Sequence, residues 1–217
     1  FHLIISDPSD AVLAELPGLI EEGHRSLKIF LTYNNVVLDD AETLKVLALA
    51  RRCGALVTVH AENHSAIMFL TEALERAGLT QPKYHSWAKP MVVEREACHR
   101  IIALAELLDT PIQIFHVSGA EAAEEIRKAQ GRGLKIYGET CPQYLMLTEA
   151  DLDRPGFEGA KFLCSPAPRT EADQEALWRY LRNGTLGVVS SDHAPNSFDD
   201  PHGKKVHGEN APFSSIP

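Results

Sequence analysis

The sequence of 217 residues lacks several features that mark other classes of protein. No hydrophobic run approaches the ~20 residues that span a bilayer, and no secretory leader pattern opens the chain. There is no basic run or aromatic–basic stripe, and a net charge of −9 disfavours a nucleic-acid surface. No Gly-x-Gly-x-x-Gly turn follows a strand-like segment, which disfavours a dinucleotide-binding fold. We therefore expect neither a membrane nor a nucleic acid as partner.

Cysteine is also scarce, and its few copies are scattered. The sequence has no Cys-x-x-Cys pair, so a cysteine cage for zinc is not expected. Scattered single thiols are typical of reduced, intracellular proteins, and this usage predicts a cytoplasmic location. The four cysteines are Cys53, Cys98, Cys141 and Cys164.

The sequence does contain a repeated alternation of strand-like and helix-like segments. The strand-like runs cover 1–6, 27–33, 55–60, 111–117, 134–140 and 186–191. Amphipathic helical patterns cover 39–54, 63–78, 93–109, 118–133 and 170–184. Such alternation predicts a parallel sheet with helical crossovers. The two candidate architectures are a (β/α)₈ barrel lacking some of its units and an open doubly wound sheet.

A lysine interrupts the second strand-like run. Lys28 lies within an otherwise apolar stretch, and an unpaired buried ammonium is costly. Two ordinary explanations exist: the side chain reaches water at a strand end, or the strand is an edge strand that a lysine protects. If neither holds, the amine must lose its charge or meet an anion.

Metal-ligating residue types gather where the predicted strands end. His60, His116 and Asp192 each end or follow a strand, and Tyr33 closes the strand that holds Lys28. The carboxyl ends of parallel strands open on one side of the molecule, so these residues are predicted to converge. Individually, each histidine could be a hydrogen-bonded core residue, Asp192 could open a turn, and Tyr33 could be a core aromatic. Together they predict a site for zinc or a similar ion.

In that setting Lys28 has a chemical explanation. An amine that reacts with CO₂ becomes a carbamate, which is an anion with two oxygens. Such a group can bridge two metal ions and removes the cost of burying an ammonium.

The segments around these residues match one known family in order along nearly the whole chain. They read SLKIFLTY, GALVTVHAEN, PIQIFHVSG, IYGETCPQYL, FLCSPAPR and VVSSDHAPNSFDDPHGK. With these motifs the chain resembles the dihydropyrimidinase/D-hydantoinase family of the amidohydrolase superfamily. The resemblance implies a (β/α)₈ barrel that carries two divalent metal ions, zinc by analogy, bridged by a carboxylated lysine.

The resemblance also assigns the metal ligands. It implies that Lys28 is the bridging ligand and that His60 and His116 hold the second metal. Asp192 would bind the first metal.

The same resemblance assigns catalytic roles. Asp192 would act as general base and proton shuttle, Tyr33 would stabilise the developing oxyanion, and the main chain of Ser165 would meet the cyclic amide. The implied reaction is metal-dependent hydrolysis of a cyclic C–N bond in dihydropyrimidines or 5-substituted hydantoins, giving N-carbamoyl amino acids.

The sequence departs from the family pattern in the ligands of the first metal. The family's first strand carries a His-x-His pair that completes the first metal site, and no such pair occurs here. The expectation is that residues 1–217 form a single catalytic-barrel fragment with about strands 3–8. It would lack the first strands and the family's β-sandwich domain, and would be inactive alone. The longer protein is expected to be a homo-tetramer.

Two other functions remain open at this point. Some relatives keep the barrel but have lost the metal ligands and act as non-catalytic scaffolds. Others are allantoinase- or dihydroorotase-like hydrolases of cyclic ureides. The presence of Lys28, His60, His116 and Asp192 favours an enzyme, and Tyr33 favours the hydantoinase branch.

Overall fold

Six parallel strands alternate with helices in the computed structural model, which describes residues 1–194 and 197–199. The strands are β1 (Leu3–Ile4), β2 (Ser26–Phe30), β3 (Leu56–His60), β4 (Ile112–Ile114), β5 (Ile136–Thr140) and β6 (Val188–Val189). The helices are α1 (Asp10–Glu21), α2 (Asp40–Cys53), α3 (His64–Arg76), α4 (His85–Ala88), α5 (Met91–Leu108), α6 (Ala120–Gly131), α7 (Pro142–Met146) and α8 (Glu171–Arg182). Short 3₁₀ turns occupy Pro82–Tyr84, Glu149–Asp153 and Glu158–Phe162.

The strand order settles the choice between the two candidate architectures. Strands β1 to β6 lie side by side in chain order, and each neighbouring pair is parallel. A doubly wound sheet reverses its order at a switch point, and this sheet does not. The fold is a partial (β/α)₈ barrel. Within the described residues, β1 and β6 are its two open edges.

The two faces of the sheet have different chemistry. The outer face is apolar and packs under the helices, with Leu27, Ile29, Val57 and Ile112 all fully buried. Because side chains alternate along a strand, Lys28 points to the opposite, inner face. The parallel register places Lys28 beside Thr58 on β3, so these two polar side chains lie on the same inner face.

The predicted helices form where capping residues favour them. Asp39 accepts a hydrogen bond from the Glu42 amide and starts α2, while Gly54 ends that helix with a φ of 70°. Asn63 accepts from the Ala66 amide at 2.9 Å and starts α3. The alternation pattern therefore located these elements correctly.

Several predictions of extent were wrong. Helix α1 was not expected, because Pro17 and Gly18 within it disfavour a helix in the sequence pattern. The predicted strand at 27–33 ends at Phe30, and the one at 111–117 ends at Ile114, because the chain turns before Tyr33 and His116. The stretches 85–92 and 152–169, which have no regular pattern in the sequence, contain α4 and the 3₁₀ turn Glu158–Phe162.

Two further predictions extend beyond what the structure describes. The motif at 188–204 and the expected single unit 1–217 both include residues outside the described ones. Within the described part of the chain, no helix combines the length and apolar character that crossing a bilayer requires.

Candidate active site

A cavity of about 650 Å³ lies at the carboxyl ends of the strands. Its walls include apolar and aromatic side chains such as Phe30, Phe115 and Leu163. The six residues singled out in the sequence all line it: Lys28, Tyr33, His60, His116, Ser165 and Asp192. Residues far apart in the chain thus share one cavity.

Lys28 is buried in the interior of the sheet. Strand β2 lies between β1 and β3, and the side chain is only 7% exposed, so neither an edge strand nor contact with water explains it. The Nζ atom lies 3.9 Å from the centre of the Phe115 ring and 5.0 Å from that of Phe30. Burial lowers the pKa of Lys28 to about 8, against the opposing pull of Asp192 and Glu139. About one amine in ten is then neutral at pH 7, which is the form that reacts with CO₂.

The two histidines lie side by side, with ring centres 4.4 Å apart. The Nε2 atom of His60 donates to Glu62 Oε2 at 2.7 Å. In His116 the buried Nδ1 atom has no hydrogen-bond partner among residues 1–194 and 197–199. Burial lowers the pKa of both imidazoles, so both are neutral at pH 7. Neutral imidazole is the form that binds metals.

Tyr33 and Ser165 form a second group on the cavity wall. The Tyr33 ring packs edge-on against His60, with ring centres 5.0 Å apart, and its hydroxyl is hydrogen-bonded to Ser165. Burial raises the pKa of Tyr33 far above its ordinary value. The phenol therefore keeps its proton and is available as a hydrogen-bond donor.

Asp192 lies in a different environment from the other five. It is solvent-exposed, at the rim of the cavity, although its charge still acts on Lys28 and Tyr33. No three His, Cys, Asp or Glu side chains in the described part of the chain are grouped closely enough to hold a metal ion. The structure thus brings His60 and His116 into contact but leaves Asp192 apart from them.

The backbone at this site is strained in a way that the sequence does not reveal. Four non-glycine residues among those described have positive φ, namely Tyr33 (73°), Asp109 (49°), His116 (42°) and Asp192 (46°). All but Asp109 line the cavity. Such conformations cost free energy and cluster at functional sites. Each of the three turns sharply just past its strand, which aims its side chain at the cavity.

The residues present suit a divalent metal by their chemistry. Two neutral imidazoles and a carboxylate on one cavity are a zinc-type donor set, and the buried Nδ1 atom of His116 has no hydrogen-bond partner among the described residues. As an ammonium, Lys28 would repel such an ion.

Sequence reasoning missed two charged residues behind the cavity wall. Glu62 is fully buried against His60, and Lys89 donates to Ser165 Oγ at 2.5 Å. Burial alone would raise the pKa of Glu62, but the Lys89 ammonium and the His60 hydrogen bond hold it well below the usual carboxyl range. A signal was present for Glu62, which follows His60 by two residues, whereas Lys89 lies in an irregular stretch.

Comparisons with known proteins agree with this geometry. The chain is 44% identical to the D-hydantoinase of Rhizobium radiobacter over 218 residues, covering 100% of this chain and 47% of that protein. It is 44% identical to the D-hydantoinase of Geobacillus stearothermophilus over 219 residues, covering 100% of this chain and 46% of that protein. A scan against protein-family models finds no match.

A solved structure shows the same fold. The crystal structure of dihydropyrimidinase from Brevibacillus agri superposes with a TM-score of 0.94 at 43% identity, covering 98% of this chain and 46% of that one. The chain spans about half the length of the curated relatives it matches.

Proposed function

From the premise that this chain belongs to the D-hydantoinase/dihydropyrimidinase family, we propose that its cavity is part of an active site for cyclic amide hydrolysis. The substrates are dihydropyrimidines or 5-substituted hydantoins, and the products are N-carbamoyl amino acids. One observation carries the proposal: the six residues of the predicted site, spread from Lys28 to Asp192, line the same cavity.

The amidohydrolase family is metal-dependent in general, and the donors on the cavity wall support the proposed ligands. His60, His116, Asp192 and Lys28 as a carbamate are the residues that would hold divalent metal, which by analogy would be zinc. When bound, the metal supplies a Lewis acid and lowers the pKa of water.

The chain's own side chains then position and move protons. Tyr33, which keeps its proton, donates a hydrogen bond to the carbonyl oxygen as negative charge develops there. The main chain of Ser165 orients the ring. Asp192 at the rim takes a proton from water and delivers it to the leaving nitrogen. The apolar walls formed by Phe30 and Phe115 exclude bulk water.

The alternatives are less well supported. A non-catalytic scaffold would not need Lys28 buried beside two neutral histidines, since an isolated buried amine only destabilises the fold. An allantoinase- or dihydroorotase-like activity is disfavoured by Tyr33 and by relatives that are named for hydantoin hydrolysis. A cytoplasmic, homo-tetrameric protein is part of the same proposal.

The first experiment measures metal content of the purified chain after growth with zinc and bicarbonate. We expect about one zinc ion per chain, held by His60, His116 and modified Lys28. Labelled bicarbonate should place a carbamate signal on the parent protein and none on Lys28→Ala. The Lys28→Ala variant should lose zinc, and short carboxylic acids should restore part of it. Exposed Lys45 gives the matched control, Lys45→Ala, which should behave as the parent.

Ring opening of hydantoin and dihydrouracil by the intact gene product tests the activity itself. Full activity and full metal content in Lys28→Ala would contradict the proposed role of the lysine. A parent protein that binds zinc but opens neither ring would contradict the proposed substrate class.

A further inference from the structure

Behind the cavity wall lies a buried pair of opposite charges that the proposed mechanism does not use. Glu62 follows β3 and is fully buried, and Lys89 lies between α4 and α5 and is 4% exposed. Lys89 Nζ lies 3.5 Å from Glu62 Oε2. Within the described structure neither side chain lines the cavity itself. Burying two charges is costly, so their partners indicate what the pair does.

The carboxylate contacts one of the proposed metal ligands. Glu62 Oε2 accepts from His60 Nε2 at 2.7 Å, so this nitrogen carries the hydrogen. The other ring nitrogen, Nδ1, is left with the lone pair that a metal requires. A carboxylate in this position fixes both the tautomer and the orientation of the ring.

The ammonium contacts the substrate side of the same cavity. Lys89 Nζ donates to Ser165 Oγ at 2.5 Å and lies 5.3 Å from the centre of the Tyr33 ring. Tyr33 is in turn hydrogen-bonded to Ser165. One ammonium therefore connects the proposed oxyanion donor, the proposed substrate contact and, through Glu62, a proposed metal ligand.

We propose that Glu62 and Lys89 are positioning residues, which hold His60 on the metal side of the cavity and Ser165 with Tyr33 on the substrate side. This inference rests on the function proposed above. Two observations support it. In the contacts described here, each of the two side chains meets a residue that lines the cavity or the other member of the pair. In addition, Glu62 Oε1 has no hydrogen-bond partner among the described residues. A carboxylate recruited only to stabilise the fold would be expected to satisfy both oxygens.

The deciding variant removes both charges at once. Glu62→Gln combined with Lys89→Met leaves no unpaired buried charge, so the fold should be retained, as a melting curve can show. If the pair positions the site, zinc affinity should fall about 10- to 100-fold, measured by competition with a chelator. Turnover of hydantoin should fall with it. The control Glu94→Gln alters another buried carboxylate and should lower the melting temperature while leaving zinc affinity of the folded protein unchanged.

A second variant tests the lysine without removing its charge. Lys89→Arg keeps Glu62 paired, so it should fold and bind zinc as the parent does. Its larger guanidinium displaces Ser165 and should raise the KM for hydantoin about tenfold, by analogy with other losses of supporting contacts. An unchanged KM would overturn the role of Lys89. If the double variant fails to fold, the KM of Lys89→Arg still tests the positioning role.

The outcomes separate this inference from the proposed function. An intact gene product that binds zinc but opens neither ring overturns the function alone, because chelator competition still reports on Glu62. Parent-like zinc affinity and kcat/KM in the folded double variant overturn the positioning role alone. A parent that binds no zinc overturns both.

Discussion

Two buried charge clusters lie next to each other in this protein and differ in how well they are satisfied. In the first, Glu94 accepts from the Ser118 amide at 2.9 Å, from the Ser118 hydroxyl, and from Arg169 at 3.0 Å. In the second, Glu62 Oε2 is shared by His60 and Lys89, while Oε1 has no partner among the described residues. The clusters touch where Arg169 donates to the Lys89 carbonyl oxygen at 2.5 Å.

The difference matches a structural role for the first cluster and the proposed positioning role for the second. Within the described structure, Glu94, Ser118 and Arg169 do not line the cavity, and their hydrogen bonds join helix α5 to the segments after β4 and before α8. The second cluster instead contacts cavity residues and leaves an oxygen unpaired, which costs free energy. In this protein a buried charge alone therefore does not indicate a functional site. A buried carboxylate with an unpaired oxygen beside a cavity does.

Removing one member of the satisfied cluster should have the largest effect on stability. Arg169→Met leaves the Glu94 charge buried without its cation, which should lower the free energy of unfolding by about 3–5 kcal/mol. Urea unfolding measures the change. The control Arg51→Met breaks only the exposed pair with Asp109 and should cost about 0–1 kcal/mol. Loss of zinc with unchanged stability in Arg169→Met would show that the two clusters are not distinct.

On the cavity side, a conservative change should affect turnover and spare the fold. Tyr33→Phe removes the proposed donor to the oxyanion, and kcat for hydantoin should fall about 10²–10³-fold with zinc content unchanged. The matched control is Tyr180→Phe, whose hydroxyl donates to Glu124 at 2.9 Å on the outer surface. Loss of zinc in Tyr33→Phe would instead mean that the tyrosine supports the metal site.

The smallest effect is expected at the strained residue outside the cavity. Asp109 ends helix α5 with a φ of 49°, a conformation that glycine adopts readily. Asp109→Gly relieves that strain but loses the exposed pair with Arg51, so the free energy of unfolding should change by no more than about 1 kcal/mol. Hydantoin turnover should stay at the parent level. A large fall in turnover would show that positive φ at Asp109 also serves the site.

The sequence predicted the parts of this site that belong to regular elements. His60 and Lys28 lie on strands, so alternation and the common direction of parallel strands were enough to place them on one side of the sheet. The strand–helix alternation likewise predicted six strands, although α1 was hidden by Pro17.

The parts that were missed depend on tertiary packing. Lys89 reaches Ser165 from an irregular stretch, and no periodic pattern specifies where such a stretch lies. The left-handed turns at Tyr33 and His116 are held by the surrounding structure against local preference, so propensity could not predict them. The exposed position of Asp192 likewise follows from the path of the chain after β6.

The strand order has a consequence for how the protein is made. Each strand pairs with the strand synthesised just before it, so the sheet can lengthen one unit at a time as the chain emerges. Lys28 and His60 would be in place early, His116 later, and Asp192 last. A nascent chain would therefore gain the residues of the proposed site in the order of its strands, and Asp192 would join the others only after β6 has paired with β5.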